Sequence, residues 1–239
     1  MKIALLGYGK MGKEIEKIAL ERNHEIVLKV GFENLSDLTI ENISKADVAI
    51  EFSTPESAVE NIKKCFSANV PVVIGTTGWL NKLEEVKKQC MESTQAMLWA
   101  SNFSVGVNLF FELNKQLAQL MNKHSSYDVK MEEIHHTQKL DAPSGTAITL
   151  AEDIIKILER KKNWKKESSS ETNDLIIKSQ RVENVPGTHL VQYTSSIDDI
   201  HITHTAHSRK GFAQGAVIAS EWIVDKTGVF SMSDVIKIN

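Results

Sequence analysis

The feature that most constrains this chain is its opening. A short apolar run, Lys2 to Leu6, leads directly into GYGKMG, which sets Gly7, Gly9 and Gly12 in G-x-G-x-x-G spacing. Helical spacing follows at Met11, Ile15, Ile18 and Ala19. In a strand–loop–helix of this kind the first glycine permits a tight turn. The second lets the backbone approach a pyrophosphate, and the third lets the helix pack on the strand. The start of the helix offers free N–H groups and a positive dipole end to phosphates. Lys10 and Met11 lie in the same loop and join Gly7, Gly9 and Gly12 as expected dinucleotide contacts. An acidic partner for the ribose hydroxyl is expected about twenty residues further on, at the end of the second strand. Glu33, in VGFEN, stands near that place and favours NADH; Lys10, with no arginine close by, leaves NADPH open.

The first hundred residues keep alternating. Strands are expected at Glu25–Val30, Asp47–Phe52, Val70–Thr76 and Ala96–Ala100, with charged helices at Pro55–Asn69 and Leu80–Glu92. Alternation of this kind predicts a parallel sheet, and near-continuous apolar runs suit strands covered on both faces. Two loops rich in small residues, EFSTPES and GTTGW, follow strands on the edge where ligands gather in open parallel sheets. Thr76, Thr77 and Gly78 are expected on the cofactor side. Ser53 or Thr54 ahead of Pro55 also reads as a helix cap.

After Asn102 the pattern changes. A long helix (Val107–Asn122), a strand (Asp128–His136) and a helix (Ser144–Glu159) precede three closely spaced strand candidates, Leu175–Val182, His189–Ser195 and Asp199–His207. Consecutive strands predict a second, α+β domain. RKKNWKKESSSETND, from Arg160 to Asp174, reads as a charged surface loop. A last helix spans Phe212 to Lys226. The expected fold class is thus α/β, with an N-terminal Rossmann-like dinucleotide-binding domain and a C-terminal α+β mixed-sheet domain.

In the middle of the chain, EEIHHTQKLDAPSGTA collects proton donors next to a helix start. His135 and His136 are adjacent at a strand end, so their side chains diverge. Histidine exchanges protons near neutrality, and Lys139 adds a cation. Asp141-Ala142-Pro143 forms a turn, and Ser144-Gly145-Thr146 begins a helix whose N–H groups and hydroxyl can hold a carboxylate. A small acidic substrate with a proton donor above it fits this arrangement, as does a plain strand–loop–helix connection with a capping serine.

A formal charge of −3 provides no global basic field for nucleic acid or acidic lipid. No run approaches the ~20 apolar residues of a membrane span, and the glycine-rich opening does not read as a signal peptide. Cys65 and Cys90 lack metal-ligand spacing and read as free thiols of a reducing, cytoplasmic compartment. His201, His204 and His207 invite a metal reading, but 204 points away from the other two on a strand and no further ligand completes a set, so no metal is expected. Arg209 is a candidate for bidentate binding of a carboxylate.

Taken together, the glycine loop, EFSTPES, GTTGW, SNFSVGVN, HHTQKLDAPSGTA, HSRKGFAQGA and GVFSMSDV resemble the 4-hydroxy-tetrahydrodipicolinate (dihydrodipicolinate) reductase family over nearly the whole chain. The resemblance implies reduction, by NADH or NADPH, of a cyclic dicarboxylate imine to tetrahydrodipicolinate in lysine and diaminopimelate biosynthesis. It implies a cofactor domain of residues 1–106 and 210–239, and a substrate-binding domain of residues 107–209 that also builds a homotetramer, the two closing over the ligands. His135 would be the proton donor and Lys139 the second catalytic group, with His136, Gly145 and Thr146 touching the substrate. Gly75, Thr76, Thr77, Ala100, Ser101, Asn102 and Phe103 would border the nicotinamide. Three departures stand out. Thr137 and Gln138 replace a basic residue and a histidine, the glycine loop is one residue shorter than in many members, and Glu183 replaces a small residue. Another nicotinamide-dependent dehydrogenase, acting on an amino or imino acid, is the alternative; it would keep the glycine loop and lack the dicarboxylate pocket.

Overall fold

The computed structural model describes residues 1–208 and 210–236. In chain order the elements are β1 (Lys2–Leu6), α1 (Lys10–Glu21), β2 (Glu25–Val30), α2 (Ile40–Ile43), β3 (Val48–Glu51), α3 (Pro55–Ser67), β4 (Val72–Ile74), α4 (Leu83–Glu92), β5 (Ala96–Trp99) and α5 (Val105–Met121). They continue with β6 (Asp128–His135), α6 (Gly145–Ile157), β7 (Asn163–Lys166), β8 (Asp174–Arg181), β9 (Gly187–Thr194), β10 (Asp199–Ala206), α7 (Lys210–Ile223), β11 (Gly228–Phe230) and α8 (Met232–Val235). The chain divides into two compact units, Met1–Asn108 with Lys210–Asn239, and Leu109–Arg209.

The first unit is a six-stranded, wholly parallel sheet in the order β11-β5-β4-β3-β1-β2. Its strands alternate between two apolar layers, as side chains of period two must. Ile3, Leu5, Val48, Ile50, Val73 and Leu98 enter one core with α1 and α7. Ala4, Leu6, Ala49, Val72, Ile74 and Met97 enter the other with α3 and α4. Pro55 opens α3, a position where a missing N–H costs nothing.

The second unit is a five-stranded mixed sheet in the order β10-β9-β6-β8-β7, with β9 antiparallel to both of its neighbours and β6, β8 and β7 mutually parallel. Val129 and Met131 of β6, Leu175 and Ile177 of β8, and Val191 and Tyr193 of β9 pack with Leu150 and Ile154 of α6 and Phe110 of α5. A Rossmann-like parallel sheet and a separate mixed sheet are the architecture the sequence predicts.

One expectation is corrected. The segment Arg160–Asp174 is not all loop: Asn163–Lys166 forms β7, paired in parallel with β8 at the sheet edge. Charged residues on an edge strand guard it against pairing with other chains and also conceal its alternation. Within that segment Lys161 is buried, its Nζ donating to the carbonyls of Thr172 (2.8 Å) and Asp174 (2.9 Å) and pairing with Asp128 (2.8 Å). Strand β11, which closes the sheet beside β5, also went unread in the residue pattern.

Candidate active site

In the first unit the glycine loop is shaped by close backbone approach. Gly7 has φ +103°, and a Cβ there would lie 2.1 Å from the carbonyl oxygen of Phe52. A Cβ on Gly12 would lie 2.3 Å from the Gly7 oxygen. Gly9 differs: it caps α1 with no side-chain cap, and a Cβ there would meet nothing within 4 Å. Two glycines are therefore demanded by the protein's own packing, while the third leaves open space beside unsatisfied helix N–H groups. This is the cradle a pyrophosphate requires, so these residues fit a dinucleotide. Lys10 is exposed and Met11 half-buried at the start of α1, and Glu33 is exposed on a 3₁₀ turn, Phe32–Asp37, that follows β2.

The loops after β3 and β4 are tied together by a buried acid. Glu51 is fully buried; it accepts from the Ser53 hydroxyl, from Ser53 N (3.2 Å) and from Asn61 Nδ2 (3.2 Å). The Thr76 hydroxyl accepts from Ser53 N at 2.8 Å, and the Thr76 carbonyl accepts from Trp79 Nε1 at 2.8 Å. Thr76 is therefore committed to the loop wall, with Thr77 exposed beside it and Gly75 held close against the Phe52 ring. After β5, Ala100 and Phe103 are buried, Phe103 against Phe52 at 5.5 Å, while Ser101 is exposed and Asn102 half-buried.

In the second unit the catalytic candidates gather at the end of the core face of the mixed sheet. Val129, Met131, Glu133 and His135 are the buried alternate residues of β6, and Gly187, His189, Val191 and Tyr193 those of β9. The apolar stripe of each strand thus ends in polar groups. Register sets Glu133 directly across from His189 and pairs His135 with Arg181 of β8. Glu133 Oε2 lies 3.5 Å from His135 Nδ1 and 3.8 Å from His189 Nε2, and the two rings stack edge to face at 5.1 Å. Both Glu133 oxygens accept from Ser144 N, at 3.1 and 3.0 Å. The Ser144 hydroxyl caps α6 by accepting from Ala147 N (3.2 Å) and lies 3.1 Å from His189 Nε2.

The loop beyond His135 is clamped from β8. Arg181 donates to the carbonyls of Lys139 (3.3 Å) and Asp141 (2.6 Å) and approaches Glu133 Oε1 at 3.6 Å. Lys139 Nζ is paired with Asp141 at 2.9 Å. Gly145 is exposed and Thr146 half-buried in the first turn of α6, and a Cβ on Gly145 would meet nothing within 4 Å. His136, just past the end of β6, lines a pocket of about 330 Å³ with Thr137, Gln138, Glu183 and Pro186. Arg209 lies outside the described residues.

Burial depresses the His135 pKa; Glu133 opposes that shift, Lys139 and Arg181 reinforce it, and Asp141 opposes it. His189 is pushed down to about 4, chiefly by burial. Burial pushes the Glu133 carboxyl up, yet hydrogen bonds from Ser144 and the His135 charge hold it below the usual carboxylate range. The sequence reading missed Glu133, Arg181 and His189. A signal existed for two of them: Glu133 and His189 sit in phase with the apolar residues of their own strands.

A parallel sheet with this glycine turn, and a second sheet bearing buried imidazoles beside a helix start, define an α/β oxidoreductase with a dinucleotide-type fold. Residues 1–103 match the family model for the dihydrodipicolinate reductase N-terminus and residues 106–236 that for its C-terminus. A curated 4-hydroxy-tetrahydrodipicolinate reductase from Christiangramia forsetii is 52% identical over 240 residues, covering 99% of this chain and 98% of that one. One from Neisseria gonorrhoeae is 33% identical, over 94% of this chain and 84% of that one. Among solved structures, the dipicolinate-bound dihydrodipicolinate reductase from Paenisporosarcina sp. TG-14 shares the fold, with a TM-score of 0.82, 23% identity and 99% of each chain covered. The chain belongs to the dihydrodipicolinate reductase family, oxidoreductases of lysine and diaminopimelate biosynthesis.

Proposed function

We propose that this chain reduces 4-hydroxy-tetrahydrodipicolinate to tetrahydrodipicolinate, using NADH or NADPH. The carrying observation is the 52% identity, over 99% of the chain, to a curated 4-hydroxy-tetrahydrodipicolinate reductase. The first unit (residues 1–106 and 210–239) binds the dinucleotide through Gly7, Gly9, Lys10, Met11 and Gly12, with Glu33 on the ribose and Gly75, Thr76, Thr77 and Ala100–Phe103 at the nicotinamide. The exposed Glu33 carboxylate favours NADH over a 2′-phosphate. The reduced nicotinamide, when bound, supplies the hydride.

The second unit (residues 107–209) binds the dicarboxylate. The N–H groups of Gly145 and Thr146 and the cation of Lys139 hold its negative charge. His136 is a further substrate contact. His135 donates the proton that quenches the electron density left on the ring. Lys139 exchanges its Asp141 partner for substrate. The outer strand β10 exposes Ile200, and the turn before it exposes Ile197, which supports assembly as a homotetramer. The chain works in the cytoplasm: both cysteines are free and buried, and among the described residues no helix is long and apolar enough to cross a membrane.

The test is the loss of reduced-nicotinamide absorbance with freshly made substrate and each cofactor in turn. His135→Ala and Lys139→Ala should lower turnover, and Thr146→Val should mainly raise KM. Lack of binding of pyridine-2,6-dicarboxylate, with turnover on another imino acid, would replace this reading with a different dehydrogenase of the same fold.

A further inference from the structure

We propose that Glu133 is a positioning residue, the buried counter-charge that orients the His135 imidazole and sustains its proton-donating form, braced by Ser144 and His189. The inference rests on the reading of His135 as proton donor.

Besides His135, Glu133 contacts Ser144 N at the start of α6 and stands 3.6 Å from Arg181, so one carboxylate serves the imidazole, the helix start and the loop clamp together. It is fully buried, on the core face of β6, where Val129 and Met131 precede it. A carboxylate in that position is costly unless each oxygen is occupied. Here both oxygens accept from one backbone donor, Ser144 N, which is the residue that caps α6. The same carboxylate stands 3.5 Å from His135 Nδ1. Glu133 therefore links the imidazole to the start of the helix whose first N–H groups are proposed to bind substrate.

Among the described residues, the charged groups that act on His135 each have a determinate sign of effect. On its own strand stands Glu133. From the following loop come Lys139 and Asp141, already paired with each other. Arg181 reaches in from β8 and His189 from β9, the latter neutral at working pH. Burial, Lys139 and Arg181 all oppose a charged imidazole, while Glu133 is the largest group that favours it. His135 already sits below the ordinary imidazole range with Glu133 in place, and removing that one charge takes away the largest influence holding a proton on the ring, so its titration should move lower still.

The decisive experiment compares Glu133→Gln and Glu133→Asp with the wild-type enzyme. In Glu133→Gln the alkaline limb of the kcat profile should move to lower pH by about 1–3 units. At pH 8 turnover should fall about tenfold or more, while the substrate KM changes by less than about threefold. A ¹⁵N titration of His135 should show the same downward displacement. Glu133→Asp, which keeps the charge, should return the limb toward wild type. An unmoved limb in the glutamine variant, or an aspartate variant that matches it, overturns the proposal. If Glu133→Gln does not fold, a ¹³C titration of the wild-type carboxyl decides: Glu133 must be ionised at pH 7, and a carboxyl still protonated there refutes the role. Full turnover in His135→Ala would sink the proton-donor reading instead, while the ¹⁵N displacement would still report on the Glu133–His135 pair.

Discussion

Gly187, the first residue of β9, is the floor under His135: a Cβ added there would stand 3.1 Å from Nε2 and 3.2 Å from Cδ2 of the imidazole. That is tighter than a relaxed contact, and the ring is already confined by Glu133 and His189. Gly187→Ala should push the imidazole off its position and cost about tenfold to a hundredfold in kcat, since small misplacements of a reacting group are expensive. Substrate KM should change far less. Steady-state kinetics on the variant check this, and an unchanged kcat would show that the ring tolerates the methyl group.

The glycines of the first loop should separate folding from binding. Gly7→Ala meets the Phe52 carbonyl at 2.1 Å and requires a residue with φ +103°, so it should destabilise the fold by about 2–4 kcal/mol. Gly9→Ala meets no protein atom within 4 Å. Its effect on stability should stay within about 1 kcal/mol, the range of a weakened helix cap, while the dinucleotide Kd rises at least about tenfold through lost approach of the backbone. Urea denaturation and cofactor titration of the two variants give the comparison.

Glu51 should make the fold less stable as pH rises. Burial pushes its carboxyl above the ordinary 4.5, against opposing hydrogen bonds from Ser53, Thr76 and Asn61. The folded chain then holds the proton more tightly than the unfolded chain does. The stabilisation is complete below pH 4.5 and is lost as pH rises through the raised value. Glu51→Gln keeps the shape without the charge, so its melting temperature should fall less than that of the wild type between pH 5 and pH 8. Parallel melting curves would count against the effect.

His189 should act in the opposite direction. Its pKa drops from 6.5 to about 4, so the unfolded chain binds the extra proton between those values. The contribution is fully present above pH 6.5 and disappears as pH falls toward 4, to a total of about 3 kcal/mol. His189→Asn should flatten the wild-type loss of stability across that window. Chemical denaturation at pH 4.5 and 7 measures it directly.

Much of this was legible from the residues. Strands β1, β3, β4 and β5 of the first unit declare themselves because they are covered on both faces and read as nearly unbroken apolar runs, as in Lys2–Leu6 and Val48–Glu51, each with a single charged end residue. The glycine loop is legible because two of its glycines answer steric demands that no other residue meets. Strand β7 was hidden because Asn163, Lys165 and Lys166 are exposed edge residues, with no apolar alternation to betray them. The buried cluster around His135 was half visible: Glu133 lies two residues before it on one strand, hence on the same face. His189 continues the buried phase of its own strand, but its place opposite Glu133, like that of Arg181 beside His135, comes only through the pairing of β6 with β9 and β8, a register that no local pattern encodes.

The first unit receives its last pieces very late. Ala213, Ala216, Val217 and Ile223 of α7 complete one of its cores, Gly215 sits where a methyl group would be 1.6 Å from the Phe103 oxygen, and β11 covers the outer edge of β5. On the ribosome, the first hundred residues therefore emerge with an apolar face bare and a strand edge unpaired, and must wait through the synthesis of a hundred more before α7 arrives. A nascent chain that stalls before residue 210 is a sticky fragment, and the cell must shelter or destroy it.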